Sequence, residues 1–373
     1  MAERIIAGRF RLLRKLGSGS SGEVYLAQTM DDDRPIALKL LRVGSASSES
    51  TRAFRQEFAL LSRLDHPSIV KIFDYGTTSP GQPFFAMEYV EGPRFDASLM
   101  KKLSLTDLYS IVVDVCLGLE YLHGYGLIHQ DIKPDNILLS SESSQLLKAK
   151  LSDFGLAAVI GSGDVQHLSG TLEYFSPEAI RGAHLDRRTD LYSLGVTLYE
   201  VLSGQNPFRS REPREILKKH LEIQPDSLRA HNEEIPAALE KIIFRLLEKD
   251  PLDRFPTATS VITALCEEVD YTMSKRQQQI SGLLPPSQFV GRSRELGRLK
   301  EWHRQAQAGH PVVVLLEGMY GIGKTRLLKE FSIHCQLEGT AVLGRAGSPG
   351  LCPCGIGRVE GAAGRPVTIR TGS

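Results

Sequence analysis

A change of hydrophobic period near residue 100 restricts the fold of this chain more than any other feature of its sequence. Between Phe10 and about Val90 the pattern favours short strands, with Ile36, Leu38 and Leu40 alternating after a cluster of turn residues. One helix interrupts it. Phe54, Phe58, Leu61 and Leu64 recur at helical spacing, and the segment stops at Asp65-His66-Pro67, where proline pushes the preceding residue out of the helical region. Past residue 103 the period becomes helical: Leu105, Leu108, Ile111, Val112, Val115, Leu119 and Leu122 mark one face of a long helix. Ser104 and Asp107 open that helix as a capping box and Gly124 closes it. Further helical stretches cover about 187–203 and 236–248. The expectation is an α+β chain, a small strand-rich lobe followed by a larger helical lobe.

Length and charge exclude several classes. The 373 residues leave room for two or three domains and a sizeable core. With 41% hydrophobic residues, 24% charged residues and a formal net charge of +1, nothing singles out nucleic acid or a membrane surface as partner. No apolar run approaches the ~20 residues of a membrane span, and Met1-Ala2-Glu3-Arg4-Ile5-Ile6 lacks an apolar signal core. The five cysteines, Cys116, Cys266, Cys335, Cys352 and Cys354, have neither paired zinc spacing nor a small secreted framework. A cytoplasmic protein with reduced thiols is expected.

Several short motifs carry chemistry. In Gly17-Ser18-Gly19-Ser20-Ser21-Gly22-Glu23-Val24, the glycines Gly17, Gly19 and Gly22 let backbone amides approach phosphates, and Val24 can cover a purine. Ala37-Leu38-Lys39 follows on a strand at hairpin spacing, and its ammonium can pair with phosphate oxygens. Glu57 lies one turn before Leu61, where it can meet Lys39 as a buried ion pair and orient it. His129-Gln130-Asp131-Ile132-Lys133-Pro134-Asp135-Asn136 follows the long helix and offers a carboxylate, an ammonium and an amide for proton acceptance, phosphate neutralisation and metal binding. Asp153-Phe154-Gly155 adds a second carboxylate beside a glycine hinge, suited to magnesium bridging phosphates. Each alone is compatible with an ordinary turn or surface charge; the whole set in this order is not.

Together these residues resemble the signature of the eukaryotic-type protein kinases, in their bacterial serine/threonine form, over residues 10–268. The resemblance implies a two-lobed fold, residues 10–90 and 91–268, that uses ATP with Mg2+ or Mn2+ and acts on protein substrates. It implies that Lys39 contacts the nucleotide phosphates and is held by Glu57. Asp131 would orient the substrate hydroxyl and accept its proton, Lys133 would stabilise the transferring phosphoryl group, and Asn136 and Asp153 would hold the metal. Val24, Ala37 and Leu138 would face adenine, and Met87 to Val90 would form gatekeeper and hinge, with Glu88 and Val90 bound to adenine through backbone. Ser176-Pro177-Glu178 stands where the family has Ala-Pro-Glu, with Arg254 as its ion-pair partner, and Asp190 resembles the residue that anchors the catalytic loop. Serine/threonine rather than tyrosine specificity rests on Lys133 and on Gly170-Thr171-Leu172-Glu173-Tyr174.

Two regions depart from that pattern. Gln130 replaces the arginine that commonly pairs with a phosphorylated activation-loop residue, so residues 156–174 are expected to be constitutively active without phosphorylation of Ser162 or Ser169. Residues 269–287 read as a linker, with Gln277-Gln278-Gln279 and Leu284-Pro285-Pro286. Beyond it Gly318-Met319-Tyr320-Gly321-Ile322-Gly323-Lys324-Thr325 fits the phosphate-binding loop G-x-x-x-x-G-K-T, between an apolar run, Val312 to Leu316, that reads as a buried strand and a helix, Arg326 to Leu337. With Phe289-Val290-Gly291-Arg292 ahead of it, residues 288–344 resemble the start of a signalling ATPase, a partial α/β P-loop domain in which Gly318, Gly323, Lys324 and Thr325 would bind nucleotide. Residues 345–373 are expected to be a disordered or aberrant tail.

Two other functions compete. A pseudokinase acting as a binding module is disfavoured by the presence of Lys39, Asp131, Asn136 and Asp153 together. An ATP-driven switch centred on the P-loop, with the kinase as output, is disfavoured because the chain lacks the further strands such an ATPase needs. Peptide choice depends on surface shape, so neither the physiological substrate nor the oligomeric state follows from these residues.

Overall fold

The computed structural model describes residues 4–18, 22–41, 48–78, 81–140, 147–153, 158–159, 171–282, 292–317, 322–345, 356–360 and 366–370. The chain divides into two units, residues 1–65, 71–89 and 287–373 in the first and residues 66–70 and 90–286 in the second.

The first unit is built on an antiparallel sheet of β1 (Ile5–Ile6), β2 (Phe10–Ser18), β3 (Gly22–Thr29), β4 (Pro35–Leu41), β5 (Ile72–Thr77) and β6 (Pro83–Glu88), in the order β1-β2-β3-β4-β6-β5. Helix α1 (Ser48–Leu61) connects β4 to β5. The alternation on β4 suggested one buried face, yet every residue from Ile36 to Leu41 is buried. The reason is two-sided packing. Ile36, Leu38 and Leu40 meet Phe10, Ala27, Phe84 and Ala86, while Leu41 packs with Phe54 and Phe58 of α1, Tyr75 and Phe85. Leu64, expected on the helix, lies three residues past its end but is still buried.

The second unit is mainly helical: α2 (Ala97–Met100), α3 (Leu105–Gly124), α4 (Pro177–Ile180), α5 (Arg188–Ser203), α6 (Pro213–Glu222), α7 (Leu228–His231), α8 (Ala237–Leu246), α9 (Ala258–Glu268) and α10 (Lys275–Ser281). Two small antiparallel ribbons complete it, β7 (Leu127–Ile128) with β10 (Ala158–Val159) and β8 (Ile137–Ser140) with β9 (Lys148–Leu151). The Ser104–Asp107 capping box opens α3 as the sequence indicates. Its burial is not confined to one face, because every residue from Leu108 to Leu119 is covered, with β9, α9 and α10 packed around the helix.

The expected linker requires correction. Residues 275–281 form α10, and Gln277, which read as part of a polar spacer, is wholly buried. Its amide donates to the Ser110 carbonyl at 3.0 Å and to Asp114 at 3.2 Å, and its oxygen accepts the Tyr271 hydroxyl at 2.9 Å. A glutamine whose donors and acceptor all find partners can be buried at little cost, which composition cannot reveal.

The segment expected to be a P-loop domain belongs to the first unit and contains α11 (Ser293–Gln307), β11 (Val314–Leu315), α12 (Lys324–Leu337) and β12 (Ala341–Arg345). The run Val312–Leu316 was expected as a buried strand. Only β11 forms there, and Val313 and Leu315 are 71% and 57% exposed, because among the described residues β11 is an edge strand paired with β14. Strands β13 (Ile356–Glu360) and β14 (Pro366–Arg370) lie where the sequence suggested no regular structure. Both carry β-branched residues, Ile356 and Val359 in one and Val367, Thr368 and Ile369 in the other, and they pair antiparallel. Cys116, Cys266 and Cys335 are free thiols, and burial pushes that of Cys335 up to about 12. Among the described residues no helix is long and apolar enough to cross a membrane.

Candidate active site

The chain between β7 and β8 has no ladder to set its shape, and α5 sets it instead. Asp190, wholly buried in the first turn of α5, accepts the backbone N–H groups of His129 and Gln130, each at 2.9 Å, and is hydrogen-bonded to His123 Nε2 at 2.8 Å. Gln130 has φ 66, a left-handed conformation that costs a non-glycine residue about 1–3 kcal/mol and persists only where its surroundings over-determine it. Here two consecutive N–H groups are clamped by one carboxylate. Thr197, two turns further along α5, donates to the Ile132 carbonyl at 3.3 Å. Burial holds the His129 imidazole below its ordinary pKa, and the neutral ring bridges two segments, with Nε2 at 3.1 Å from the Ser152 carbonyl and Nδ1 accepting the Asp131 N–H at 3.3 Å.

The loop so fixed presents Asp131. Its Oδ2 accepts Lys133 Nζ at 2.7 Å and Asn136 Nδ2 at 2.9 Å, and among the described residues its Oδ1 accepts only the Thr171 hydroxyl, at 3.3 Å. Lys133 Nζ also donates to Thr171 Oγ1 at 2.8 Å. One carboxylate oxygen is thus heavily committed and the other retains lone-pair capacity for a further hydroxyl proton. Thr171 ties the segment ahead of α4 directly to the loop that carries Asp131 and Lys133.

Asn136 Nδ2 donates both to Asp131 Oδ2 and to the Asp131 carbonyl, at 2.7 Å for the latter. With its nitrogen so committed, the amide offers its oxygen as a hard donor. The Asn136 carbonyl in turn accepts Ser152 N at 3.0 Å and Ser152 Oγ at 3.2 Å, which fixes the residue immediately before Asp153. Asp153 itself has φ 57, a second non-glycine residue in the left-handed region at this site. Among the described residues no cluster of three or more His, Cys, Asp or Glu could hold a metal by itself. An amide oxygen and a carboxylate are the hard donors that a divalent cation such as the family uses could take.

In the first unit Lys39 pairs in register with Val24 on β3 and Phe85 on β6, and its Nζ lies 5.3 Å from the Phe85 ring centroid with the residue only 3% exposed. Ala37 is buried between Leu26 and Met87 in the same ladders. Gly17, next to last in β2, lies opposite Val24. Gly22 opens β3 so close to β4 that a Cβ there would collide with the Leu40 carbonyl, a packing demand for glycine independent of any phosphate. Glu88 ends β6, with its N–H given to the Lys71 carbonyl at 2.8 Å and its carboxylate accepting the Lys71 N–H at 3.2 Å. Helix α1 carries Glu57, whose side chain lies outside the described residues, as do Gly19, Phe154, Gly155, Ser162, Ser169 and Gly318. Gly323, with φ 95, precedes α12, and Lys324 and Thr325 open that helix.

Some features of the second unit were not legible in the sequence. Val90 and Leu138, both expected at the nucleotide, line a cavity of about 430 Å³ together with Phe95, Asp135, Tyr174 and Glu200. Its acidic groups are engaged: Asp135 pairs with Arg94 at 2.7 Å, and Glu200 accepts the Tyr174 hydroxyl at 2.6 Å and Asn206 at 3.0 Å. Gly92 approaches the chain so closely that a Cβ would meet the Leu139 carbonyl. No local sequence signal announces these pairings. The Glu178–Arg254 pair, by contrast, forms as expected, bidentate at 2.8 and 2.8 Å with the guanidinium side chain fully buried. Burial alone would raise the Glu178 pKa, but the hydrogen bonds and charge of Arg254 hold it below the ordinary carboxylate value.

Comparison with known proteins agrees with this geometry. The protein kinase domain family matches residues 10–265. The chain is 36% identical over 279 residues to serine/threonine-protein kinase pkn3 of Myxococcus xanthus, covering 72% of this chain and 51% of that protein. It is 35% identical over 259 residues to serine/threonine-protein kinase PrkC of Bacillus subtilis, covering 68% and 39%, and 34% identical over 267 residues to serine/threonine-protein kinase PknB of Mycobacterium tuberculosis, covering 69% and 42%. The chain therefore spans about half or less of the length of these curated relatives. With the family match spanning most of its length, the chain belongs to the protein kinase family, and residues 10–265 are its protein kinase domain.

Proposed function

We propose that the protein as a whole is an ATP-dependent serine/threonine kinase of cytoplasmic signalling, transferring the terminal phosphoryl group of ATP to serine and threonine hydroxyls of proteins. The observation that carries this reading is the Asp131 carboxylate, held by Lys133, Asn136 and Thr171 with Oδ1 left able to accept another proton. In the proposed reaction a substrate hydroxyl donates to Asp131 and its oxygen forms the new bond to phosphorus as the bond to the ADP oxygen breaks. The hydroxyl proton passes to Asp131. Lys133 neutralises charge that spreads over the transferring group, since positioning and electrostatics supply most of the acceleration in phosphoryl transfer. Asn136 and Asp153 would hold Mg2+ or Mn2+, which would supply positive charge to neutralise the phosphates.

The same reading gives Lys39 and Glu57 the role of gripping the phosphates, Gly17, Gly19 and Gly22 that of covering them, and Val24, Ala37, Leu138, Glu88 and Val90 that of holding adenine. Gln130 supports activity without phosphorylation of Ser162 or Ser169, because its backbone is clamped by Asp190 and its neutral amide offers no charge to a phosphate. Incubation with labelled ATP and magnesium, followed by mapping of the phosphorylated residues, tests the assignment. Label on serine and threonine that disappears in Asp131→Asn is expected; label on tyrosine, or label that persists in Asp131→Asn, would overturn it.

A second, weaker nucleotide site is proposed at Gly318, Gly323, Lys324 and Thr325, supported by the left-handed glycine immediately before α12 and by the lysine and threonine that open it. Lys324→Ala should leave phosphate transfer to a generic protein substrate intact. Loss of transfer in that variant would instead favour the P-loop as the principal ATP site.

A further inference from the structure

Helix α12 is amphipathic twice over. Leu327, Phe331 and Cys335, at successive spacings of four, form a core with Leu299 of α11, flanked by Trp302 and Val342. A different face carries Glu330, Ile333, Gln336 and Leu337. Ile333 is 5% exposed and belongs to the same apolar cluster as Phe54 and Phe58 of α1, Leu41, Tyr75 and Phe85, with Leu337 packed beside it.

Polar ties surround that plug. Gln336 Nε2 donates to Asp74 Oδ1 at 3.0 Å and to the Phe73 carbonyl at 3.3 Å, both on β5. Glu330, 6% exposed, pairs with Arg63 at 3.1 Å, and Lys329 donates to the Arg63 carbonyl at 3.3 Å. Arg55 of α1 donates to the Leu337 carbonyl at the helix end. A helix belonging only to an independent neighbouring domain would be expected to present a solvated outer face, and would not bury an isoleucine, a glutamine and a glutamate against another element.

From this arrangement we infer that α12 is an in-chain regulatory partner of the kinase's small lobe, seated on a surface made by α1 and β5, and that its seating supports the catalytic competence of the domain. The inference rests on the kinase reading above. Its physical route is short: α1 is the helix that carries Glu57, and α12 ties α1 to β5 by filling the angle between them. Loss of that wedge frees α1 to open locally, and any fraction of molecules in which α1 is displaced is lost to catalysis.

The test uses the full chain. Ile333→Asp places a charge in the apolar cluster, Ile333→Val keeps the plug, and Gln336→Ala removes the ties to β5 while leaving the Leu327–Phe331–Cys335 core untouched. Hydrogen exchange is followed in peptides spanning residues 48–61, 72–77 and 293–307, alongside kcat/KM for ATP. For Ile333→Asp the expected result is about tenfold faster exchange in α1 and β5, with kcat/KM lower by about fivefold. Gln336→Ala should move both readouts the same way to a smaller extent, Ile333→Val should resemble the wild type, and α11 should exchange as before. Unchanged exchange in α1, or faster exchange with undiminished phosphate transfer, overturns the inference. A wild type showing no transfer sensitive to Asp131→Asn would instead mark failure of the kinase reading, and the exchange data would still report on docking.

Discussion

The contact between α10 and α3 offers a prediction whose size can be worked from the structure. Asp114 in the middle of α3 has no exposed side-chain surface, and Arg276 Nη1 reaches both of its oxygens, at 3.0 and 2.9 Å. Removing one partner of a buried ion pair typically costs about 3–5 kcal/mol, because the other charge is left uncompensated. Two features reduce that here. Arg276 keeps 33% of its side-chain surface in solvent, and Asp114 retains hydrogen bonds from Gln277 at 3.2 Å and from the Ala149 N–H at 3.1 Å. A loss of about 2 kcal/mol for Arg276→Ala follows, which lowers the melting temperature of a domain of this size by roughly 4–8 °C. Urea and thermal unfolding of Arg276→Ala, Asp114→Asn and the double variant measure it, with exposed Lys275→Ala as control within about 0.5 kcal/mol of wild type. The double variant should be less destabilised than the sum of the single changes by about 1 kcal/mol. Strict additivity, or an Arg276→Ala protein that melts with the wild type, would refute the argument and return residues 269–287 to the status of a spacer.

Three further outcomes are expected. Replacing Ser162 and Ser169 together by alanine should leave phosphate transfer nearly intact, and a loss of about a hundredfold in kcat would show that the activation segment depends on phosphorylation after all. Fully buried His220, hydrogen-bonded to the Tyr192 hydroxyl at 3.0 Å, has its pKa pushed down to about 3 by burial and then by Lys249. Its folded value lies below the unfolded one, so its contribution is complete above about pH 6.5 and is lost as the pH falls toward 3; between pH 6.5 and 5 the loss is about 2 kcal/mol, and His220→Asn should flatten that part of the stability profile. Glu178→Ala leaves Arg254 buried without its carboxylate and should cost about 3–5 kcal/mol, read from the urea midpoint.

The parts of the fold that could be read from the chain were those with a strong local cause. The period switch and the Ser104–Asp107 box located α3, and the set of Lys39, Asp131, Asn136 and Asp153 pointed to the protein kinase family that residues 10–265 match. What escaped was set by packing between distant segments. Nothing near Gln277 indicates that Ser110 and Asp114 complete its hydrogen bonds, so a buried helix read as a polar linker. Likewise Val312 to Leu316 is apolar enough for a core strand, and only its place at a sheet edge explains why Val313 and Leu315 remain in solvent. Ile333 carried no signal for its second role, since its spacing satisfies one amphipathic helix as well as two. At Gln130 the sequence disclosed a missing charge and, through Asp190, an anchor for the loop; the left-handed backbone of Gln130 and the pairing of Asp190 with His123 appear only in three dimensions.

Asp131 stands at the centre of the account, and single-turnover phosphate transfer from pre-bound magnesium–ATP to a serine peptide probes it most directly. In Asp131→Asn the account predicts nucleotide affinity close to wild type and a transfer rate lower by about 10²–10⁴, the range expected when a positioned proton acceptor is removed. Transfer at the wild-type rate in that variant, with nucleotide bound, would contradict it.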